Sequence, residues 1–283
     1  MSVRGAQAAT VLWRVFLDAI LPLGVAFFVV SWLTDSARID TGLLKSNSLL
    51  MNARPIFRSV DQADVFTIAV ESSAILLVTA MVGAMVIGIP LGILYGWSTN
   101  RAFKALAWSL STVLVALPAF FWAVALELTM IWIYLNLGWR YLPIAGFGVD
   151  EHLVLPSLAL GARPAVYIFR FTATAVEEVR HTDYIRTAFA KGLRERMLLT
   201  HHVLPNAAPN IIAAVVLATR GALSSLVIVE FVYIWGGAAL VFVQALGNRR
   251  LELALSIAVT FAIASVVLTM LAELARARIR VSA

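Results

Sequence analysis

The chain has 283 residues, of which 61% are hydrophobic and 13% charged, with a formal net charge of +6 and a mean hydropathy of +0.89. Several continuous apolar runs exceed the roughly 20 residues that cross a hydrocarbon core, which excludes a soluble domain and barrel strands and leaves an all-α, polytopic membrane bundle of about six transmembrane helices. The absence of cysteine excludes disulfides, thiolate metal sites and cysteine catalysis, and the basic residues sit in short loops beside the spans, as topology signals rather than a nucleic-acid surface.

In residues 1–34, Arg4 and Arg14 precede an apolar run from Val15 to Leu33. That run is long for a signal peptide and lacks a small-x-small cleavage site, so it is read as an uncleaved first span. Residues 35–64 mix Arg38, Lys45, Arg54 and Arg58 with four aspartates and are read as an extracytoplasmic segment lying against the bundle. A core of five further spans fills 65–283. The second span, Val65 to Trp97, is rich in Gly and Ala, which lets helices approach closely in lipid. Arg101 and Lys104 place the next loop in the cytoplasm. The third span, Ala105 to Leu135, carries Pro118, where a kink is expected. A turn-rich segment, Gly138 to Glu151, returns outside. The fourth span, His152 to Ala175, is interrupted by Pro156, Gly161, Arg163, Pro164 and Arg170 and is expected to be buried among other helices. The fifth runs Ala207 to Trp235, an outer turn follows from Gly236 to Arg250, and the sixth covers Leu251 to Leu274 before a basic tail. Both termini are expected in the cytoplasm.

Between the fourth and fifth spans lies the longest strongly polar stretch, Glu177 to Asn210. Tyr184, Ile185 and Ala188 form one apolar edge of a short helix, while Arg186, Lys191, Arg194 and Arg196 stay solvated. Gly192 is expected to end that helix in the left-handed conformation. A second helix restarts over Leu193 to Val203, and Pro205 is expected to break it.

Arg220, midway along the fifth span, is expected to face the bundle interior or a partner subunit, because an exposed charge there costs on the order of 3 kcal/mol. Glu71, Glu127 and Glu230 are candidate counter-charges. The group reads either as a structural ion pair or, together with Phe120 and Trp122 beyond the Pro118 kink, as a polar translocation path. His201 and His202 point to different helix faces, with no third ligand at suitable spacing, and read as polar loop positions; no metal site is expected.

Asp183-Tyr184-Ile185-Arg186-Thr187-Ala188, then Ala190-Lys191-Gly192-Leu193, then His202-Val203-Leu204-Pro205-Asn206, resemble the cytoplasmic loop of binding-protein-dependent ABC importer permeases. Pro118-Ala119-Phe120-Phe121-Trp122, Leu137-Gly138-Trp139 and His152-Leu153-Val154-Leu155-Pro156 are similar to the dipeptide/oligopeptide branch, in particular to the first of its two paired permeases. The chain departs from that pattern at Phe189, where the family has arginine, and at Gly236. The resemblance implies the type I permease fold. It implies that residues 177–206 couple to an ATPase, with Glu178, Asp183, Tyr184, Arg186, Ala188, Lys191, Gly192, Leu193, Leu204 and Pro205 in the coupling element. It also implies a second homologous permease, two cytoplasmic ABC ATPase subunits, an extracytoplasmic binding protein, and a prokaryotic inner membrane whose lipid surrounds the spans. The chain has no GxxxxGK[ST], so ATP and Mg belong on separate ATPase subunits and the chain itself is expected to bind no cofactor and catalyse nothing. The alternative is a self-contained channel or secondary transporter using Arg220 with Glu127 and Glu230.

Overall fold

The structure, a computed structural model, describes residues 62–138 and 142–282, with side chains described over 64–138 and 142–270. The expected first span and residues 35–61 lie outside the described residues; residues 62–64, expected in the extracytoplasmic segment, form the first turn of a helix. Every regular element described is helical: α1 Gln62–Trp97, α2 Arg101–Ala116, α3 Ala119–Leu137, a 3-10 turn Glu151–Leu153, α4 Val154–Arg180, α5 Asp183–Ala190, α6 Glu195–Met197, a π-helical segment Leu198–Val203, α7 Leu204–Val232, α8 Ala238–Gly247 and α9 Leu251–Ser282. Among the described residues five helical stretches are long and apolar enough to cross a membrane: Asp64–Trp97, Ala119–Leu137, Glu151–Arg180, Glu195–Val232 and Leu251–Met270.

Three expectations are corrected. The third span is two helices rather than one kinked helix. Leu117 and Pro118 are both extended, because the Pro118 ring forces the residue before it out of the helical region. The expected outer turn from Gly236 to Arg250 contains α8, ten residues long and half of them buried. At about 15 Å it is too short to span, and it is apolar enough to need cover. Pro205 does not break its helix. It sits at the second position of α7, and the π-helical turn just before it widens the backbone where its ring would meet the His201 carbonyl.

The chain forms two compact units. In the first, built from 62–72 and 236–271, Val65 and Ala69 pack with Ala238, Val241 and Ala245 and with Leu253, Ala254 and Ile257. The second holds residues 73–235 and 272–282 of those described, and its largest packed pair is α4 against α7.

Within the second unit, α1 and α4 meet along a seam of small residues. Gly88, Gly92 and Gly96 recur every fourth position, on one face of α1. A Cβ at Gly88 would stand 2.6 Å from the Ala165 carbonyl oxygen; at Gly92, 2.7 Å from that of Phe169; at Gly96, 2.7 Å from that of Ala173. Gly161 of α4 meets the Ala80 carbonyl in the same way, at 2.7 Å. Contacts advance together along both helices, so the two run parallel. Hydrogen replaces methyl here because the backbones touch, and that contact holds helices together where lipid supplies no hydrophobic drive.

The far end of the seam is fastened by charge. Arg180 donates from Nη1 to the carbonyls of Ser98, at 3.2 Å, and Gly96, at 3.5 Å, and lies 5.4 Å from the Trp97 ring centroid. A cation on the last carbonyls of α1 also complements its dipole. Lys104 pairs with Glu177 at 2.6 Å and sits over the Tyr95 ring. Arg170 stacks on Trp108 at 4.3 Å. Asn100 caps α2, its Oδ1 accepting from the amides of Ala102 and Phe103.

Candidate functional site

The polar stretch folds back under the second unit. Helix α5 ends in a Schellman motif: Gly192 N–H donates to the Phe189 carbonyl at 2.9 Å, Leu193 N–H to that of Ala188 at 3.4 Å, and Gly192 takes φ +80°. This is the left-handed cap expected from sequence. No atom lies within 4 Å of a Cβ built at Gly192, so backbone conformation alone selects the glycine.

The apolar edge read from sequence divides between two sides. Ile185, 4% exposed, packs inward with Ala175 and Val176 of α4 and with Val203 and Ala207. Leu204 joins the same cluster and Leu193 is half-buried. Tyr184 is 46% exposed and Phe189 60%, and Met197 on the next turn is 48% exposed. The sequence reading missed Met197 and noted Phe189 only as a departure. The signal for both was a large apolar residue inside a charged stretch. Around them, Glu178, Asp183, Arg186, Lys191 and Pro205 are exposed and Ala188 is half-buried. Arg186 lies 3.6 Å from Asp183, an exposed pair that contributes little. His201 is exposed, with Nδ1 2.8 Å from the Thr200 hydroxyl, and His202 is half-buried. The loop is therefore keyed into the bundle through Ile185 and leaves Tyr184, Phe189 and Met197 exposed among charged residues.

The second group of sequence candidates does not gather at one place. Phe120 is exposed, and Trp122 is half-buried with a buried Nε1 that has no hydrogen-bond partner. Glu127 is half-buried on α3, one turn beyond Ala123, whose carbonyl accepts from the buried Tyr233 hydroxyl at 3.0 Å. Glu230 is fully buried near the end of α7 and accepts a hydrogen bond from Ser73 of α1. Arg220 instead lines a cavity of about 430 Å³ between α4 and α7, with Arg163, Tyr167, Leu217, Gly221 and Ser224.

Above Glu230 the end of α7 is closed by a second Schellman turn, in which Trp235 N–H donates to the Glu230 carbonyl at 2.9 Å. Here Ile234, not glycine, holds φ 53°, a strain of about 1–2 kcal/mol for a β-branched residue. Tyr233 and Trp235, both fully buried, hold it in place. The segment before α4 docks on the same turn. Gly146 N–H donates to the Tyr233 carbonyl at 2.9 Å, and Phe147 meets the Trp235 ring edge-on at 5.2 Å. Asp150 caps the 3-10 turn. Acceptance from the His152 amide, at 2.9 Å, and then from the His152 ring, at 2.7 Å, holds its carboxyl below the usual carboxylate range.

Parallel small-residue packing, membrane-length apolar helices and a keyed polar loop define a multi-pass helical membrane protein. A family model described as "Binding-protein-dependent transport system inner membrane component" matches residues 88–281. The glutathione transport system permease protein GsiC of Escherichia coli strain K12 is 33% identical over 175 residues, covering 62% of this chain and 55% of GsiC. GsiC of Salmonella paratyphi A matches with the same identity and coverage. The chain thus spans about half the length of the curated relatives it matches. In fold it resembles the inward-facing MetNI methionine ABC transporter in the CY5 native crystal form, with a TM-score of 0.60 at 16% identity, covering 76% of this chain and 96% of that one. The chain belongs to the family of binding-protein-dependent transport system inner membrane components.

Proposed function

We propose that this chain is one of two homologous permeases of an ATP-driven importer for peptides or peptide-like solutes, driven through residues 177–206 by a separate cytoplasmic ATPase. The observation that carries the reading is the division of α5. Ile185 is locked into the bundle while Tyr184, Phe189 and Met197 stand exposed on the loop. Pushing on such an element moves α4 and α7 with it, whereas a loop held by solvated charges alone would yield. Large apolar side chains exposed in a charged loop also have the composition of a docking surface, apolar anchors with orienting charges.

In this reading 1–34 is a tail and first span, 35–64 an extracytoplasmic segment and 65–283 the permease core, with both termini in the cytoplasm. Two ATPase subunits carry ATP and Mg, and an extracytoplasmic binding protein delivers the solute. This chain performs no chemistry and binds no cofactor. The coupling residues are those named from sequence, Glu178 to Pro205, with Phe189 and Met197 added. The glutathione named for GsiC is a tripeptide, which favours a peptide-type solute. ATP binding shifts the equilibrium between inward- and outward-open packings.

The test is purification of the membrane complex carrying Gly192→Pro or Phe189→Ala. Proline cannot take φ +80°, so the first variant dismantles the turn, while the second removes only exposed surface. Loss of the ATPase, or of solute-stimulated ATP hydrolysis, with the membrane subunit still folded is expected for both. Retention of full coupling in both, or solute flux by the chain without any ATPase, refutes the reading.

A further inference from the structure

Between α6 and α7 the backbone runs over Leu198–Val203 in the π register, in which an amide reaches the fifth carbonyl before it. Leu204 N–H donates to the Leu199 carbonyl in this way. Burial follows the register. Leu198 is 1% exposed, and Val203 and Ala207 are 0% exposed. Val203 and Ala207 are four apart (207 − 203), the spacing of one α-helical face. Leu198 and Val203 are five apart (203 − 198), and both are buried because the turn between them is wide. In an α turn Leu198 would stand about 140° round the axis from Val203, and the residue on the face of Val203 would be Leu199, four before it (203 − 199). That residue is also a leucine. It is half-buried in the π register and already packs against the cluster of Ile185, Val203 and Ala207. Each register therefore has a leucine of its own, and a change of register exchanges one buried leucine for the other with little net change in apolar area. Pro205 separates the two states. In the α register its ring meets the His201 carbonyl, and it has no amide to offer that oxygen. In the π register the neighbouring His202 carbonyl accepts from the Asn206 side chain at 2.6 Å.

We propose that Leu198–Val203 is a register switch, with Leu198 buried in the observed π state and Leu199 in its place in an α state. Dropping one residue from the turn rotates α6 by about 100° and shifts it by about 1.5 Å along the axis. On a helix about 11 Å across, a surface side chain then moves by about 8 Å. Met197, exposed at the end of α6, is re-aimed by that movement, while Ile185 keeps α5 packed on α4. Residues 192–194, between α5 and α6, take up the difference, and Gly192 gives them backbone freedom. A close-packed core accepts one leucine or the other and nothing between, so the two registers are discrete. A role for the switch in energy coupling rests on the importer reading, in which the ATPase chooses the register through its contacts with α6. The two registers themselves do not rest on it.

The experiment measures spin-label distances in the full chain, purified in non-ionic detergent with the subunits that accompany it, whose own cysteines are replaced. This chain has no cysteine, so Arg196→Cys is paired with Leu106→Cys on α2 or with Phe171→Cys on α4, all at exposed positions. With Pro205 in place, one population is expected to dominate each pair. Pro205→Ala restores the amide and removes the ring, and is expected to raise a second population at least about tenfold, displaced by several ångströms in at least one pair. Leu199→Ser added to Pro205→Ala removes the leucine of the α state and is expected to abolish that population. A local disturbance from the loss of Pro205 would persist in the double variant. Leu198→Ala, with Pro205 kept, reaches the second population by a separate route, since it weakens the π state alone. A single population in both Pro205→Ala and Leu198→Ala, or a second one that survives Leu199→Ser, overturns the switch. A non-hydrolysable ATP analogue is expected to enrich the second population in the complex with Pro205 present. No response to nucleotide, with the second population still produced by Pro205→Ala, overturns the coupling role while the switch stands. Absence of any ATPase from the purified complex sinks the importer reading and the coupling role together, and the Pro205→Ala and Leu199→Ser pair then decides the switch by itself.

Discussion

Replacing Gly92 by alanine tests whether the α1–α4 seam is held by backbone contact. The added methyl would lie 2.6 Å from Thr172 Cβ and 2.7 Å from the Phe169 carbonyl oxygen, against an ordinary carbon contact of 3.5–4.0 Å. The helices must part locally by about 1 Å, since the carbonyl belongs to a helix and cannot rotate away. Overpacking of this kind costs about 1–3 kcal/mol, while alanine recovers about 0.8–1.0 kcal/mol of helix propensity over glycine. The net is a loss of up to about 2 kcal/mol. Gly83 provides the control on the same helix: a Cβ there meets nothing within 4 Å, so Gly83→Ala keeps only the propensity gain. Thermal unfolding of the detergent-solubilised chain reads the difference, at roughly 2–4 °C per kcal/mol for a domain of this size. Gly92→Ala should melt several degrees below the unchanged chain and Gly83→Ala at or slightly above it. Equal midpoints for the two variants would falsify the account of the seam.

Ile185→Ala removes a buried side chain and should destabilise the loop by about 2–5 kcal/mol, seen as faster proteolysis within 177–206. Phe189→Ala should leave that rate unchanged; equal protection in both variants contradicts the inward role of Ile185. Tyr233→Phe deletes the bond to the Ala123 carbonyl and should lower stability by about 1 kcal/mol, with no change in melting as the contrary result. Asp150 has a lowered folded-state pKa, so its cap stabilises the turn above the unfolded carboxylate value near 4 and is lost as pH falls through the folded value. The protection of the His152 amide, its exchange measured relative to the intrinsic rate at each pH, should therefore fall in acid in the unchanged chain and show no such step in Asp150→Asn; matching profiles refute the cap.

The hydropathy of the chain located the described spans well, because an apolar run has few other uses. Gly192 was legible for a related reason: a lone glycine between two helical patterns has one common role. Other features depended on what surrounds the chain. Pro118 announces a disturbance, and only the extended Leu117 makes it a break rather than a kink. Ala238–Gly247 is too short to register as a span, and the flanking Gly236, Gly237, Asn248 and Arg249 read as turn residues, which hid the helix between them. Pro205 looked like a stop because its sequence does not reveal the wider π turn upstream. On α5, periodicity grouped Tyr184 with Ile185, but which of two neighbouring residues meets the bundle is set by α4 and α7, not by the pattern itself. Arg163 was seen only as an interruption of a span, since its proximity to Arg220 is a tertiary fact.

Glycine and alanine have no side-chain rotamers to lose, so ordering the α1 face of the seam surrenders little side-chain entropy. Its cohesion comes from dispersion between atoms already in contact, not from release of water. Attraction of that kind does not fade on cooling as water-driven burial does. The parallel pair should therefore hold its geometry in the cold, where any contact that depends on burying exposed side chains such as Tyr184, Phe189 and Met197 would weaken.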